Sequence, residues 1–265
     1  MTNISCFIIA KNEERLIARA IKSVKNIAEE IIVIDSGSTD KTIEIAKSLG
    51  TKVIHNDWNG YLNQKIYGEA LCKNEWIINI DADEEITKDL EEEIIFISSS
   101  GLIDKYKAYR IDFGIIYREE EKLRFLAPSN TFIRLYNKNF ASFGNNKGDS
   151  THDDVKLNPG LTEKKDVYVL AHKAFHRSGA SITQLVNKAN FYSSEQAKAL
   201  AKKGRAISKF RIICELPFWF FKAFIIRRYF IFGFDGFVDS WIFAFARFMR
   251  LAKVREENND NNKSR

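Results

Sequence analysis

IINIDADEEIT (residues 77–87) is an apolar run that ends abruptly in acidic side chains. The run predicts a buried β-strand over 75–83. Because residues i and i+2 of a strand share a face, we expect Asp81 and Asp83 to point to one place at the strand end. Two close carboxylates repel unless they share a cation, and Mg²⁺ or Mn²⁺ prefers such oxygen ligands. The alternative interpretation is that both aspartates cap a helix that begins near Thr87.

Strand and helix patterns alternate around this stretch. Apolar strands are predicted over 4–10, 30–36, 51–56 and 75–83, and helical patterns lie between them. This alternation predicts a parallel sheet with helices on both faces. Ligands of such sheets bind beyond the carboxyl ends of the strands. Three polar clusters fall there: Lys11-Asn12-Glu13, Asp35-Ser36-Gly37-Ser38 and Asp81-Ala82-Asp83.

The composition narrows the class of protein. The chain has 265 residues, a hydrophobic content of 45% and a net charge of +6, which favours a soluble domain with an anionic partner. Its three cysteines lack the spacing of a metal site or a disulfide framework, so a reducing cytoplasm is expected. We predict no signal peptide, and no transmembrane helix because no run of apolar residues is long enough.

The second half is more mixed. Strands are predicted over 107–117, 131–138 and 166–175, followed by a helix over 181–203. The segment 207–251 holds 12 of the 21 phenylalanines, interleaved with Lys and Arg. Pro217, Gly233 and Gly236 are expected to break it into pieces too short to span a bilayer, but aromatic faces flanked by Arg suit a membrane interface.

The segment 207–251 has two other interpretations. Its phenylalanines would also suit the core of a helical subdomain or a dimer interface. Nucleic-acid binding is not expected, because the aromatic content exceeds what base-stacking platforms need. We predict a main domain over 1–204, an amphipathic membrane-surface extension over 205–254 and a disordered polar tail over 255–265.

Three ordered stretches resemble the family 2 glycosyltransferases, specifically the bacterial β-1,4-glucosyltransferase group of lipopolysaccharide core biosynthesis. They are ISCFIIAKNEERLIARAIKSV, EIIVIDSGSTDKTIEIAKSLG and WNGYLNQKIYGEALCKNEWIINIDADEEI. The resemblance is specific from residue 4 to about 90 and looser to about 253. It implies an α/β GT-A fold, a Rossmann-like mixed sheet with helices on both faces, with a C-terminal aromatic and basic helical extension.

The resemblance also implies roles for individual residues. Asn12 and Glu13 would lie beside the nucleotide, and Asp35 would bind the uracil base. Gln64 and Lys65 would lie near the nucleotide, although Ile66 stands where many relatives carry Asn.

The metal and ribose positions are implied in the same way. Asp81, the first aspartate of the D-x-D motif, would lie near the ribose, and Asp83, the second, would ligate Mg²⁺ or Mn²⁺. His172 would approach the metal or the diphosphate, with His176 as the competing histidine. The structural alternatives are a turn and helix cap for Asp35 and a hydrogen-bonded structural role for His172.

Inverting sugar transfer needs a base that takes the proton of the acceptor hydroxyl. The stretch Thr151-His152-Asp153-Asp154-Val155 is the candidate, because relatives place an acidic residue after a histidine here. Asp153 is the predicted general base and Asp154 is the alternative. Both residues would also suit a turn.

Together these features predict a metal-dependent, inverting hexosyltransferase. It would move a sugar from a UDP-sugar donor to a lipid-anchored acceptor, a glycolipid or lipopolysaccharide core oligosaccharide, at the cytoplasmic face of the bacterial inner membrane. The anionic membrane surface would be its partner, and no nucleic acid is expected. The alternatives are a transferase that uses a polyprenyl phosphate acceptor and a non-catalytic membrane-surface protein on a GT-A scaffold.

Overall fold

The computed structural model describes residues 2–117, 120–146, 154–178, 182–202 and 207–263. The chain forms two compact units. Unit 1 comprises residues 1–116 and 129–177, and unit 2 comprises residues 117–128 and 178–265. This division differs from the predicted boundary at 204/205, because the helix that precedes the boundary packs on the last helix of the chain.

An eight-stranded mixed sheet forms the centre of unit 1, in the order β3-β2-β1-β4-β7-β6-β10-β5. Its parallel half has β1 at its centre, paired with β2 on one side and β4 on the other. Strands β7, β6 and β10 extend the sheet on the far side of β4, and β7 runs antiparallel to it. The strands are β1 (Ile4–Ala10), β2 (Glu30–Asp35), β3 (Lys52–His55), β4 (Trp76–Asp81), β5 (Glu84–Ile86), β6 (Ala108–Tyr117), β7 (Ser129–Asn137) and β10 (Val167–Ser178).

Short helices connect these strands, and a two-stranded ribbon stands beside the sheet. The helices are α1 (Ile17–Val24), α2 (Thr42–Ser48), α3 (Tyr61–Leu71), α4 (Lys88–Ser99) and α5 (Glu163–Asp166); the ribbon is β8 (Ala141–Ser142) with β9 (Lys156–Leu157). Strand alternation sends Ile8 of β1 into one core cluster and Phe7 into another, so both faces of the sheet are covered. The predicted mixed sheet with helices on both faces is confirmed.

The acidic end of β4 differs from the sequence-based expectation. The strand ends at Asp81, and a turn through Ala82 and Asp83 leads into the short strand β5. The two-residue periodicity therefore stops before Asp83, and the two aspartates have different neighbours. Neither of them caps α4, because Thr87 is the N-cap and its side chain accepts a hydrogen bond from Leu90 N.

Unit 2 is helical and contains α6 (Ile182–Lys202), α7 (Lys209–Phe221) and α8 (Gly233–Lys263). Between α7 and α8 lie a π-helical turn and a 3₁₀ turn. Lys253 of α8 ties α6 down: its Nζ donates to Asn190 O, Ser193 Oγ and Ser194 Oγ at 3.1, 2.9 and 2.8 Å.

The segment 207–251 is less fragmented than the sequence predicts. Pro217 lies inside α7, and α8 runs through Gly236 and continues to Lys263, across most of the tail predicted to be disordered. The stretch Tyr229–Asn258 is long and apolar enough, by length and composition alone, to cross a membrane. The expectation that the segment forms only short pieces is therefore wrong, because α8 continues through Gly236 without a break.

Candidate active site

The loops that follow β1 and β2 are fastened to each other. Asn12 has a positive φ of 55°, a conformation that Asn tolerates better than most residues. Its backbone N donates to Ser38 Oγ at 2.9 Å, and its side-chain Oδ1 accepts from Thr39 N at 2.8 Å. The backbone N of Glu13 donates to Thr42 Oγ1 at 2.8 Å. Asn12 and Glu13 therefore lie at the predicted strand ends, where Asn12 holds the two loops together.

Asp35 lies at the end of β2 with its side chain only 1% exposed. Its Oδ2 accepts hydrogen bonds from Gly37 N at 2.9 Å and Ser38 N at 3.0 Å, which is the turn geometry expected of aspartate. Its Oδ1 is buried and makes no hydrogen bond within the described residues. A buried carboxylate oxygen without a donor is costly, so this atom is suited to a donor supplied by a ligand.

The helix α3 brings two predicted residues to the site in different roles. Gln64 is buried, and its amide bonds to Asn56 O at 2.9 Å, Asp57 O at 2.8 Å and the Asn56 side chain at 2.8 Å. Gln64 therefore shapes the loop after β3. Lys65 is 2% exposed, and its Nζ lies 3.4 Å from Asp81 Oδ1, so it neutralises the first aspartate of the motif.

A buried arginine that the motifs did not single out organises the carboxylates. Arg134, on β7, donates through Nη1 to Asn79 Oδ1 at 2.7 Å. Its Nη2 donates to Asp81 Oδ2 at 3.0 Å and to Glu84 Oε1 at 2.7 Å. Glu84 Oε2 in turn accepts from Asp81 N at 2.8 Å. The signal in the sequence was a charged residue in the middle of the apolar run of the predicted strand over 131–138.

These contacts set the protonation of the buried acids. Burial by itself raises the pKa of Asp81, but the charges of Lys65 and Arg134 outweigh it and hold that pKa well below its usual range. Burial raises the pKa of Glu84 to about 7, with Asp81 and Asp83 adding to the rise and Arg134 opposing it. Asp81 is therefore a fixed anion, and Glu84 titrates near neutral pH.

Asp83 has a different environment from Asp81. Its side chain is 24% exposed, and Oδ2 lies 3.3 Å from Nε2 of His176 on β10. Burial lowers the pKa of His176, but Asp83, Glu84 and Asp81 reverse this and raise it to about 9. The neighbouring Arg177 Nε donates to Glu85 Oε2 at 2.7 Å. The D-x-D motif therefore ends in a partly exposed carboxylate beside an imidazole.

The structure places His172 away from this group. Its Nδ1 lies 2.9 Å from Glu93 Oε2 of α4, and its side chain is half exposed. The reason is register: β10 pairs with β5 so that His176 faces Glu84 and Ala174 faces Ile86, and His172 lies beyond the end of β5. Of the two histidines, His176 contacts Asp83 and His172 does not, so the structure favours the competing histidine, and the role of either at a metal stays a prediction.

One of the two candidate bases lies within the residues that the structure describes. Asp154 is exposed, two residues before β9. Asp153 lies outside the residues that the structure describes. Their roles stay predictions.

The side chains at the end of the D-x-D motif suit a metal ion only if other ligands complete its shell. In the described parts of the chain, no three acidic, His or Cys side chains converge on a common point. Asp83 and His176 supply two ligand groups, the imidazole once the cation has displaced its proton. A hard divalent cation commonly takes one or two protein ligands and completes its shell with phosphate and water. The residues present therefore fit a cation that is held jointly by the protein and a diphosphate.

Comparison with known proteins identifies the family of this chain. The model of glycosyl transferase family 2 matches residues 5–150. An uncharacterized glycosyltransferase of Rickettsia felis is 58% identical over 256 residues, which is 97% of this chain and 90% of the relative. The lipopolysaccharide core biosynthesis glycosyltransferase LpsC of Rhizobium meliloti is 26% identical over 266 residues, 95% of this chain and 91% of LpsC.

Two solved structures are similar at lower levels. Glucosyl-3-phosphoglycerate synthase of Mycobacterium tuberculosis, in complex with Mn²⁺, UDP and glucosyl-3-phosphoglycerate, is 17% identical with a TM-score of 0.46, over 78% of this chain and 82% of that one. TarS 1–349 of S. aureus with UDP is 12% identical with a TM-score of 0.45, over 100% and 92%. Likenesses at these levels assign no ligand to this chain.

Proposed function

The chain belongs to glycosyltransferase family 2, and we propose that it is an inverting, metal-dependent hexosyltransferase that uses a UDP-sugar. The proposed acceptor is a lipid-anchored glycan of the lipopolysaccharide core type, because the relative LpsC is named a lipopolysaccharide core biosynthesis glycosyltransferase. The observation that carries the donor proposal is the buried Oδ1 of Asp35, which has no hydrogen-bond partner within the described residues.

Asp35 supports a uracil base through hydrogen-bond polarity. The N3 position of uracil is a donor, whereas the N3 position of cytosine is an acceptor. Because the carboxylate only accepts hydrogen bonds, Oδ1 fits uracil and repels the cytosine lone pair. Asp35 pairs across the sheet with Ala10 of β1, and Asp81 pairs with Ile9, so the two acids stand two strands apart, about 10 Å. That separation suits a nucleoside laid across the strand ends.

Asp83 and His176 would hold the divalent cation, because their side chains meet at the end of the D-x-D motif, 3.3 Å apart. When bound, the cation offsets the negative charge that builds up on the leaving diphosphate. Lys65 and Arg134 keep Asp81 ionised, so that carboxylate can accept hydrogen bonds from ribose hydroxyls throughout the reaction.

The remaining chemical requirement is the base. A carboxylate within hydrogen-bond reach of the acceptor hydroxyl would take its proton as the oxygen attacks the anomeric carbon and the diphosphate leaves. We assign this role to Asp153, with Asp154 as the alternative. Asp153→Asn should lower kcat with little effect on KM for the donor, whereas Asp154→Asn should leave kcat nearly unchanged.

Unit 2 supports an acceptor held in a membrane. Between Lys202 and Arg255 there are twelve Lys and Arg and three acidic residues. Large apolar side chains are exposed on the same unit, among them Phe210 at 76%, Phe218 at 59% and Phe234 at 78%. Cations attract anionic headgroups and aromatic rings enter the interfacial zone, so we propose peripheral attachment to the inner face of the inner membrane.

The donor proposal is tested by calorimetric titration of UDP and CDP, each with and without Mn²⁺. UDP should bind in a Mn²⁺-dependent manner, and a screen of UDP-hexoses for turnover follows. In Asp35→Asn the amide oxygen can still accept from Gly37 and Ser38, which turns the NH₂ group toward the position of Oδ1. We expect UDP affinity to fall about tenfold or more and the preference for UDP over CDP to shrink.

Asp89→Asn is the matched control, since Asp89 is an exposed aspartate in the first turn of α4. It should leave both affinities unchanged. Equal binding of UDP and CDP by the unmodified chain, or no binding of either, would overturn the assignment of Asp35 to uracil.

A further inference from the structure

Unit 2 contains a group of cations that the proposed sugar transfer does not use. Three basic side chains lie over two aromatic rings between α7 and α8, and a fourth pairs with Glu215, which bonds to one of these rings. This cationic cluster consists of Lys222, Arg227 and Arg247 over Trp219 and Phe243, together with Arg250. The two rings meet edge to face, with centroids 5.8 Å apart. The cluster is therefore a built feature of the helix pair.

The aromatic faces hold three of the cations. Lys222 Nζ lies 4.3 Å from the centroid of Trp219, and Arg247 Cζ lies 4.7 Å from the same ring. Arg247 Cζ is also 5.3 Å from the centroid of Phe243, and Arg227 Cζ is 4.8 Å from it. Stacking on a ring orients a guanidinium but uses none of its five N–H donors.

One carboxylate is in contact with the cluster among the described residues. Glu215 Oε1 accepts from Trp219 Nε1 at 2.9 Å and lies 3.2 Å from Arg250 Nη2. The Nε atom of Arg250 is buried and has no hydrogen-bond acceptor within the described residues. Four positive charges thus share one negative charge, and a buried donor is left for an acceptor from outside the chain.

The like charges are close enough to affect one another. Burial and the charges of Arg250 and Arg227 lower the pKa of Arg247 from its ordinary value, and Glu215 only partly offsets them. An arrangement that gathers like charges costs stability unless a bound anion relieves it. Several arginine forks at one place match the multiple oxygens of a phosphate group.

We propose that Lys222, Arg227, Arg247 and Arg250 form a phosphate-binding site in unit 2. Its ligand is a phosphomonoester or diphosphate group, carried either by a lipid or by a soluble molecule. The exposed Phe218, whose ring centroid lies 6.0 Å from Lys222 Nζ, gives the site an apolar border that suits a lipid-borne phosphate. The site does not depend on the proposed sugar transfer, because none of its residues belongs to the candidate active site.

The test uses the full chain and two probes, with EDTA present so that any metal-dependent nucleotide site stays silent. Soluble pyrophosphate is titrated by calorimetry, and vesicles of phosphatidylcholine with phosphatidic acid are tested by co-sedimentation. Vesicles with phosphatidylglycerol at the same surface charge control for general electrostatic attraction. Binding of pyrophosphate alone assigns a soluble phosphate, and preferential binding to phosphatidic acid assigns a lipid-borne one; either result supports the site.

Substitutions separate a site from a charged surface. Arg247→Gln and the exposed Arg227→Gln should each weaken binding of the effective probe about tenfold, as expected for loss of a charge-assisted hydrogen bond. Arg211→Gln removes the same charge from an exposed position near the start of α7, outside the cluster, and should change binding less than twofold.

Circular dichroism checks the fold of each variant, and Arg227→Gln keeps the test informative if Arg247→Gln is poorly folded. The proposal is overturned if neither probe binds, if phosphatidic acid and phosphatidylglycerol bind equally with no pyrophosphate binding, or if Arg211→Gln weakens binding as much as Arg227→Gln does.

Discussion

The two units handle charge in opposite ways. In unit 1 cations and carboxylates are matched: Arg134 and Lys65 face Asp81 and Glu84 at 2.7–3.4 Å. In unit 2 the cations around Trp219 outnumber their carboxylate and rest on aromatic rings instead. The first arrangement keeps Asp81 ionised and holds both carboxylates in position. The second leaves donors unused, which is the property of a surface that awaits an anion.

The largest expected effect is on the matched set. Arg134→Met removes the cation that Asp81 and Glu84 share and leaves the buried Glu84 without its arginine partner, so the free energy of unfolding should fall by about 3–5 kcal/mol. Chemical denaturation measures it. Arg247→Met in unit 2 should cost about 1 kcal/mol or less, because relief of repulsion offsets the lost ring contacts. Arg110→Met, which breaks a surface pair with Glu163, should cost under about 1 kcal/mol. Equal losses for Arg134 and Arg247 would refute the contrast between the units.

The next effect is catalytic. Asp83→Ala should lower UDP-hexose turnover about 10²–10³-fold, because the charge on the leaving diphosphate loses its counterion. Its Mn²⁺-dependent UDP binding should disappear in the same calorimetric experiment. Asp89→Ala, an exposed position in the first turn of α4, is the control and should retain both. Full activity of Asp83→Ala would remove the metal from the proposal.

The third prediction separates the two histidines. His176→Ala should weaken Mn²⁺-dependent UDP binding about 10-fold or more, since its imidazole contacts Asp83. His172→Ala should change it less than about twofold, because His172 pairs with Glu93 instead. Titration of both variants side by side measures the difference. The reverse order would restore the assignment made from sequence.

The smallest expected effect is a decrease in the free energy of unfolding as the pH rises. The pKa of His176 is raised to about 9 in the folded chain from an ordinary value of 6.5. Its pairing with the carboxylates therefore contributes fully below pH 6.5 and is lost as the pH rises through 9. Since the side chain is 36% exposed, solvent screening limits the contribution to about 1 kcal/mol. Denaturation midpoints at several pH values should show the decrease, and His176→Gln should flatten it.

Sequence reasoning succeeded where local patterns carry the information. The strand predicted over 4–10 is the observed β1, and the family assignment, the GT-A fold and the class of enzyme are confirmed. The convergence of the clusters around Asn12, Asp35 and Asp81 follows from parallel strands that end at one edge of the sheet. Motif spacing is enough to predict such features, because it reflects contacts between neighbouring strands.

Sequence reasoning failed where the pairing register of strands distant in sequence decides which side chains meet. Arg134 reaches Asp81 only because β7 pairs antiparallel with β4, which no local pattern encodes. The choice between His172 and His176 likewise depends on how β10 is aligned with β5. Gly236 was expected to interrupt a helix, but a Cβ there would lie 1.9 Å from Tyr229 O, so the residue serves a close backbone approach within unit 2.

The discontinuity of the two units has a consequence for how the chain is made. Unit 2 takes residues 117–128 from the middle of the sequence, and Tyr117 stacks on Phe232 and donates to Asp239 Oδ2 at 2.6 Å. During synthesis, unit 1 has its whole sequence once residue 177 has left the ribosome, whereas residues 117–128 must wait for α8, which is translated later. Unit 2 therefore closes only after α8 has been synthesised, when unit 1 is already free to fold.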